Sequence, residues 1–102
     1  MPKFKSGVVF WEMHPRILWA VTMIDDIHKS LTNQVATITC GRDGEHSENS
    51  LHYKGQAVDI RTWYVSDPVI KQTFTERIKS TLGNDFDVVV ESDHIHCEYD
   101  PK

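Results

Sequence analysis

Apolar positions recur at two different periods along this chain, and each change of period marks an element. Ile17, Leu18, Val21, Ile24, Ile27 and Leu31 nearly trace one helical face, with Asp25 and His28 as polar positions on the same stretch. Proline suits a first helical turn. The spacing therefore predicts a helix from His14-Pro15 to about Leu31, with Trp19 and Met23 adding bulk. A second helix is predicted from Asp67-Pro68, a capping residue before a first-turn proline. It runs through Val69, Ile70, Phe74, Ile78 and Leu82 to a stop at Gly83. Elsewhere the period falls to two. Residues 34–39 (QVATIT) alternate and are β-branched, so they read as a strand. Residues 56–60 (QAVDI) alternate as well, residues 86–90 read as a buried strand, and residues 94–98 read as its hairpin partner or its continuation across 91–93. Residues 1–13 are irregular apart from a short strand expected at 7–10, and residues 40–49 form a polar loop. These elements describe a single α+β domain over residues 1–102, a small antiparallel sheet with two main helices packed on it.

The chemistry concentrates in two stretches. In SLHYKGQAVDI, His52 and Asp59 stand seven positions apart with Gly55 between them. Imidazole and carboxylate are both zinc donors. Odd spacing sends two side chains to opposite faces of a straight strand, so these two meet at one ion only if the chain turns, and Gly55 permits the turn. His52 is then a loop residue and Asp59 a strand residue. Asp59 shares a face with Ala57, while Val58 and Ile60 point to the core. Near the end, in ESDHIHC, His94 and His96 are two apart and face the same way on a strand, with Ile95 and Cys97 on the other side. Three protein donors with a fourth position open to water is the pattern of a catalytic zinc, whereas a structural zinc is closed by four ligands.

The pattern HxxGxAxD followed by DHxH resembles the zinc-dependent D-Ala-D-Ala carboxypeptidases and L-alanyl-D-glutamate endopeptidases, whose fold is shared with the amino-terminal signalling domain of hedgehog proteins. GEHSENSLHYKGQAVDI (residues 44–60) and HIHC (residues 94–97) are especially close to hedgehog, and the resemblance covers residues 36–99. It implies that His52, Asp59 and His96 bind Zn2+. It also implies that Asp93, three residues before His96, is the general base, with Glu91 competing because hedgehog proteins place a glutamate slightly earlier. His94 would support the site by hydrogen bonding. Arg42, within CGRDGEHSENS, would neutralise substrate or oxyanion, although the peptidases' own arginine pattern there is SGxR. His46 aligns with a histidine at the edge of the hedgehog zinc site. The acidic residues Asp43, Glu45 and Glu48 are too few to carry over a calcium site. The implied activity is hydrolysis of peptidoglycan stem peptides at the D-Ala-D-Ala or the L-Ala-D-Glu link. The alternatives are a zinc-containing hedgehog-like binding module without catalysis and a purely structural zinc.

Composition narrows the partners. The net charge is −4 with a pI near 5.8, and no basic patch stands out, which argues against a nucleic-acid partner. No apolar run approaches the ~20 residues that span a membrane. The first residues lack the apolar stretch and cleavage site of a signal peptide, so the expected place of synthesis and residence is the cytoplasm. A small leaderless chain of the resembled family fits a phage or prophage lytic enzyme that reaches the cell wall through a separate pore. A monomer is the expected state. Cys40 and Cys97 read as small core residues, with a bridge between them left open.

Overall fold

The computed structural model describes residues 1–44 and 50–101. The fold is α+β. Helices α1 (Pro15–Thr32) and α2 (Pro68–Leu82) pack against a five-stranded sheet in the order β1-β2-β3-β5-β4. The strands are β1 (Lys3–Phe4), β2 (Thr37–Cys40), β3 (Ala57–Arg61), β4 (Phe86–Val90) and β5 (His94–Tyr99). A short 3-10 turn, Trp63–Val65, joins β3 to α2.

Both helices begin as their sequences dictate. The His14 ring accepts from the Arg16 amide ahead of Pro15. The Asp67 carboxylate accepts from the Val69 and Ile70 amides ahead of Pro68. Each bond satisfies an orphan donor of a first turn. The buried stripe of α1 is Ile17, Ala20, Val21, Ile24, Asp25 and His28, and that of α2 is Phe74, Thr75, Ile78 and Leu82. Leu18, Val69 and Ile70, assigned to the core faces by spacing, are instead exposed. The two buried polar residues of α1 do structural work. Asp25 accepts the Ala36 amide at 2.8 Å, and the His28 ring donates to the Gln34 carbonyl at 2.6 Å. They tie the helix to the chain entering β2, and neither is left unsatisfied.

Three strand expectations are corrected. The N-terminal strand lies at Lys3–Phe4, not at 7–10, and pairs parallel to β2, so the sheet is not wholly antiparallel. A two-residue ladder is too short to leave a periodic trace. The strand predicted at 34–39 begins only at Thr37, because Gln34 and Ala36 are occupied by His28 and Asp25. Finally, β4 is a sheet edge and not a buried strand: Val89 and Val90 are each 45% exposed. The strands flanked on both sides are β2, β3 and β5.

The core lies between the helices and one face of the sheet, where Ile38, Val58, Ile60, Ile95 and Cys97 are fully or almost fully buried. The other sheet face carries the alternate residues of the same strands. Among the described residues no helix is long and apolar enough to cross a membrane.

Candidate metal centre

The pairing of β3 with β5 places Asp59 directly opposite His96, and Arg61 opposite His94. Facing residues on an antiparallel pair share a side of the sheet, so the strand register alone joins two distant stretches of sequence. His52 arrives from the tight turn before β3. There the Gly55 amide donates to the His52 carbonyl, and the Ser50 hydroxyl accepts the His52 amide. Gly55 has φ +71°, and a Cβ on it would meet the Glu12 carbonyl oxygen at 2.8 Å and the Met13 Cα at 3.2 Å. Its carbonyl also accepts from the His14 amide. The turn thus needs glycine both for conformation and for the close approach of another backbone segment.

Three donor atoms converge. The His96 Nδ1 lies 3.0 Å from Asp59 Oδ1, the His52 Nε2 lies 3.4 Å from the same oxygen, and the two nitrogens are 3.2 Å apart. The outer nitrogen of each ring is held by an acceptor. His52 Nδ1–H donates to the Gly41 carbonyl at 2.7 Å, and His96 Nε2–H donates to Glu98 Oε1 at 2.8 Å. A carbonyl and a carboxylate can only accept, so each ring turns its other nitrogen toward Asp59. Carbonyl and carboxylate partners of this kind orient histidine ligands in metal sites.

Electrostatics follow the same geometry. Burial works to raise the Asp59 pKa, but hydrogen bonds from His52 and His96 overcome it and hold the carboxyl well below the usual carboxylate range. The hydrogen bond to Asp59 raises the His96 pKa, against the opposing effect of burial, and Glu98 adds to the rise.

Cys40 is a further member that reading it as core filler missed. A bulge in the β2–β3 ladder shifts the register between Ile38 and Cys40, so that Cys40 stands opposite Asp59. Bulges re-aim side chains in this way. Cys40, His52 and Asp59 form a group that can hold a metal ion. The Cys40 thiol donates to the Asp43 carbonyl at 3.1 Å and lies 3.8 Å from His52 Nδ1, the nitrogen engaged by Gly41. Burial first, then the carboxylates of Asp43 and Asp59, push its pKa up to about 12. Cys97 is fully buried in the core, and the two cysteines do not form a disulfide.

Beside Asp59 the solvent face opens into a recess of about 200 Å³, lined by His94, Asp93, Arg61, Trp63 and Lys5 among others. Asp93 is exposed. Its Oδ1 accepts from His94 Nδ1 at 2.8 Å, and that hydrogen bond lowers its pKa. His94 Nε2 lies 4.0 Å from Asp59 Oδ2, so this ring bridges the two carboxylates. The other sequence candidates stand apart from the recess. Arg42 donates to the Glu12 carbonyl at 3.1 Å, packed at the Gly55 turn. Glu91 lies in the β4–β5 connection, where its backbone amide donates to His94 and its carbonyl accepts from Lys71. His46, Glu45 and Glu48 fall outside the described residues. Glu98 and Arg61 escaped the sequence reading, though the signal was present: each stands two residues from a candidate ligand on a strand, hence on the same face.

Over 56 residues the chain is 45% identical to Indian hedgehog protein of Gallus gallus. The match covers 54% of this chain and 13% of the hedgehog protein, so the chain spans a small part of the relative's length. No family model matches the chain.

Proposed function

We propose that the chain is a zinc-dependent peptidase acting on peptidoglycan stem peptides, with His52, Asp59 and His96 as the metal ligands. One observation carries the ligand set: His52 Nε2, Asp59 Oδ1 and His96 Nδ1 lie 3.0–3.4 Å from one another, with both outer ring nitrogens already bonded. A tetrahedral ion with bonds near 2.05 Å has ligand-to-ligand edges of roughly 3.3 Å. These three donors would hold the ion, and the recess lies beside Asp59. Cys40 fits this ion less well. Its thiol lies by His52 Nδ1, the ring nitrogen already bonded to the Gly41 carbonyl, so it competes from the other side of that ring.

Held by these three residues, a zinc ion would supply Lewis-acid chemistry, lowering the pKa of water toward ~7 and polarising a peptide carbonyl. The protein's own residues complete the reaction. Asp93 is ionised at neutral pH and held by His94 at the mouth of the recess. It takes the proton of the water attacking the carbonyl carbon and returns it to the amide nitrogen as the C–N bond breaks. His94 keeps the Asp93 carboxylate oriented. Glu98 and the Gly41 carbonyl keep the ligand rings oriented. Acting on the wall, the chain would serve as a lytic enzyme of the phage or prophage kind.

The hedgehog match favours a second reading, in which the same site holds zinc in a binding module that cleaves nothing. One experiment separates the two. Zinc-loaded protein and its Asp93→Ala variant are incubated with peptidoglycan and defined stem peptides, and products are read by mass spectrometry. The peptidase reading expects wild type to release terminal D-Ala or cut after L-Ala. It expects Asp93→Ala to retain zinc and lose roughly 10²–10⁴-fold in turnover. Zinc-containing wild type that cleaves neither bond supports the binding module.

A further inference from the structure

The recess beside Asp59 contains a cation that the proposed mechanism leaves unused. Arg61 lies two residues from Asp59 on the same face of β3 and opposite His94. Its guanidinium stacks on the Trp63 ring, 3.6 Å from the centroid. Among the described residues Arg61 makes no ion pair, although Asp59 and Asp93 line the same recess. Both carboxylates are engaged by histidines instead. Lys5, from the segment that follows β1, lines the recess too and likewise makes no ion pair among the described residues. A guanidinium held flat by an aromatic ring keeps its fork of donors preset for a planar carboxylate, with little side-chain entropy left to lose.

From these observations we infer that Arg61, seated on Trp63 and assisted by Lys5, binds a free α-carboxylate on the substrate residue immediately after the cut bond. The inference rests on the peptidase reading for what is cut, but the carboxylate site stands on its own geometry. In a peptide, the α-carboxyl carbon of the residue after the cut bond is three covalent bonds from the scissile carbonyl carbon, under ~4 Å away. Asp59 and Arg61 are spaced by two residues of strand, roughly 7 Å. A carbonyl held at the Asp59 end thus directs the next carboxylate toward the guanidinium. The two candidate bonds share this chemistry. A D-Ala-D-Ala terminus ends in a free carboxylate on the residue after the bond. The glutamate that follows L-Ala in a stem peptide continues through its side-chain carboxyl, which leaves its α-carboxylate free. One arginine therefore serves either bond, and amidation of that carboxyl removes its partner.

The test uses two acetylated peptides, one ending in D-Ala-D-Ala and one containing L-Ala-γ-D-Glu. Each is made as the α-carboxylate and as the α-carboxamide. Binding to the metal-free full chain, where no turnover intervenes, is followed by NMR titration. Cleavage by the zinc-loaded chain is followed by mass spectrometry. Wild type should bind at least one carboxylate peptide about tenfold or more tightly than its carboxamide. Arg61→Gln should abolish that preference, and Arg61→Lys should restore part of it. The peptide that shows the preference identifies the bond. Equal binding of carboxylate and carboxamide by wild type, or a preference that survives in Arg61→Gln, overturns the inference. A zinc-loaded wild type that cleaves neither peptide, while the metal-free preference persists and depends on Arg61, sinks the peptidase reading and upholds the carboxylate site.

Discussion

Strand β3 presents two faces that differ in every respect except their backbone. Val58 and Ile60 are fully buried beneath the helices, whereas Asp59 and Arg61, one residue away in each case, face the recess. Strand β5 repeats the division, with Ile95 and Cys97 fully buried and His94 and His96 on the other side. The ladder between them pairs buried with buried, Ile60 with Ile95 and Val58 with Cys97, and donor with donor, Asp59 with His96. The same hydrogen bonds that close the core therefore set the spacing of the site. A one-residue slip would exchange the faces completely. The division predicts that core-face changes act on stability and site-face changes act on metal and substrate.

The strongest way to break that division is on the core side. Ile60→Ala should cost about 2–5 kcal/mol in denaturant unfolding, as loss of a buried aliphatic side chain does. A cost well under 1 kcal/mol would mean that the ladder holds without its core face. On the site side, Glu98→Gln should leave unfolding nearly unchanged and weaken zinc binding by roughly 10–100-fold, since the altered partner orients the His96 ring. Calorimetric titration with zinc checks this, and an unchanged affinity would leave Glu98 as a bystander. Cys40→Ala sharpens the ligand assignment. Zinc stoichiometry should stay the same by elemental analysis, and a loss of metal would move the thiolate into the ligand set. The smallest effect is on pH. In metal-free protein the folded His96 pKa is raised above 6.5 by its bond to Asp59. A raised folded pKa contributes stability that is complete below the unfolded value and lost as pH rises through the folded one. Metal-free urea unfolding should thus show stability falling above about pH 6.5, and His96→Gln should flatten that slope. Zinc should reverse it, because the ring must be deprotonated to bind metal. A slope shared by wild type and variant would show that His96 does not control it.

Several features were legible because they follow from local rules. The first-turn proline at Pro15, the cap at Asp67, the two amphipathic stretches and the turn at Gly55 each depend on residues within a few positions of one another. The alternation that assigns Asp59 and His96 to polar faces is equally local. Other features depend on what another segment does. Leu18, Val69 and Ile70 fit the apolar spacing of a core face yet are exposed, because burial depends on what packs against each helix. The short parallel strand at Lys3–Phe4 exists only because β2 offers it an edge. The bulge that carries Cys40 to Asp59 is a property of the β2–β3 pair and of neither strand alone.

What the sequence determined by itself is the set of elements, the α+β class, and the sorting of candidate donors onto loop and strand faces, since period, caps and turn residues act over a few positions. What only the tertiary structure decided is which of those residues meet. The β3–β5 register put Asp59 against His96, and the Gly55 turn, packed on Glu12 and Met13, delivered His52. The stacking of Arg61 on Trp63 left a guanidinium in the recess while Arg42 was drawn to the Glu12 carbonyl. Periodicity tells which face a side chain takes, but the distance between two faces far apart in the chain is set by strand pairing and backbone packing, which a local pattern does not encode.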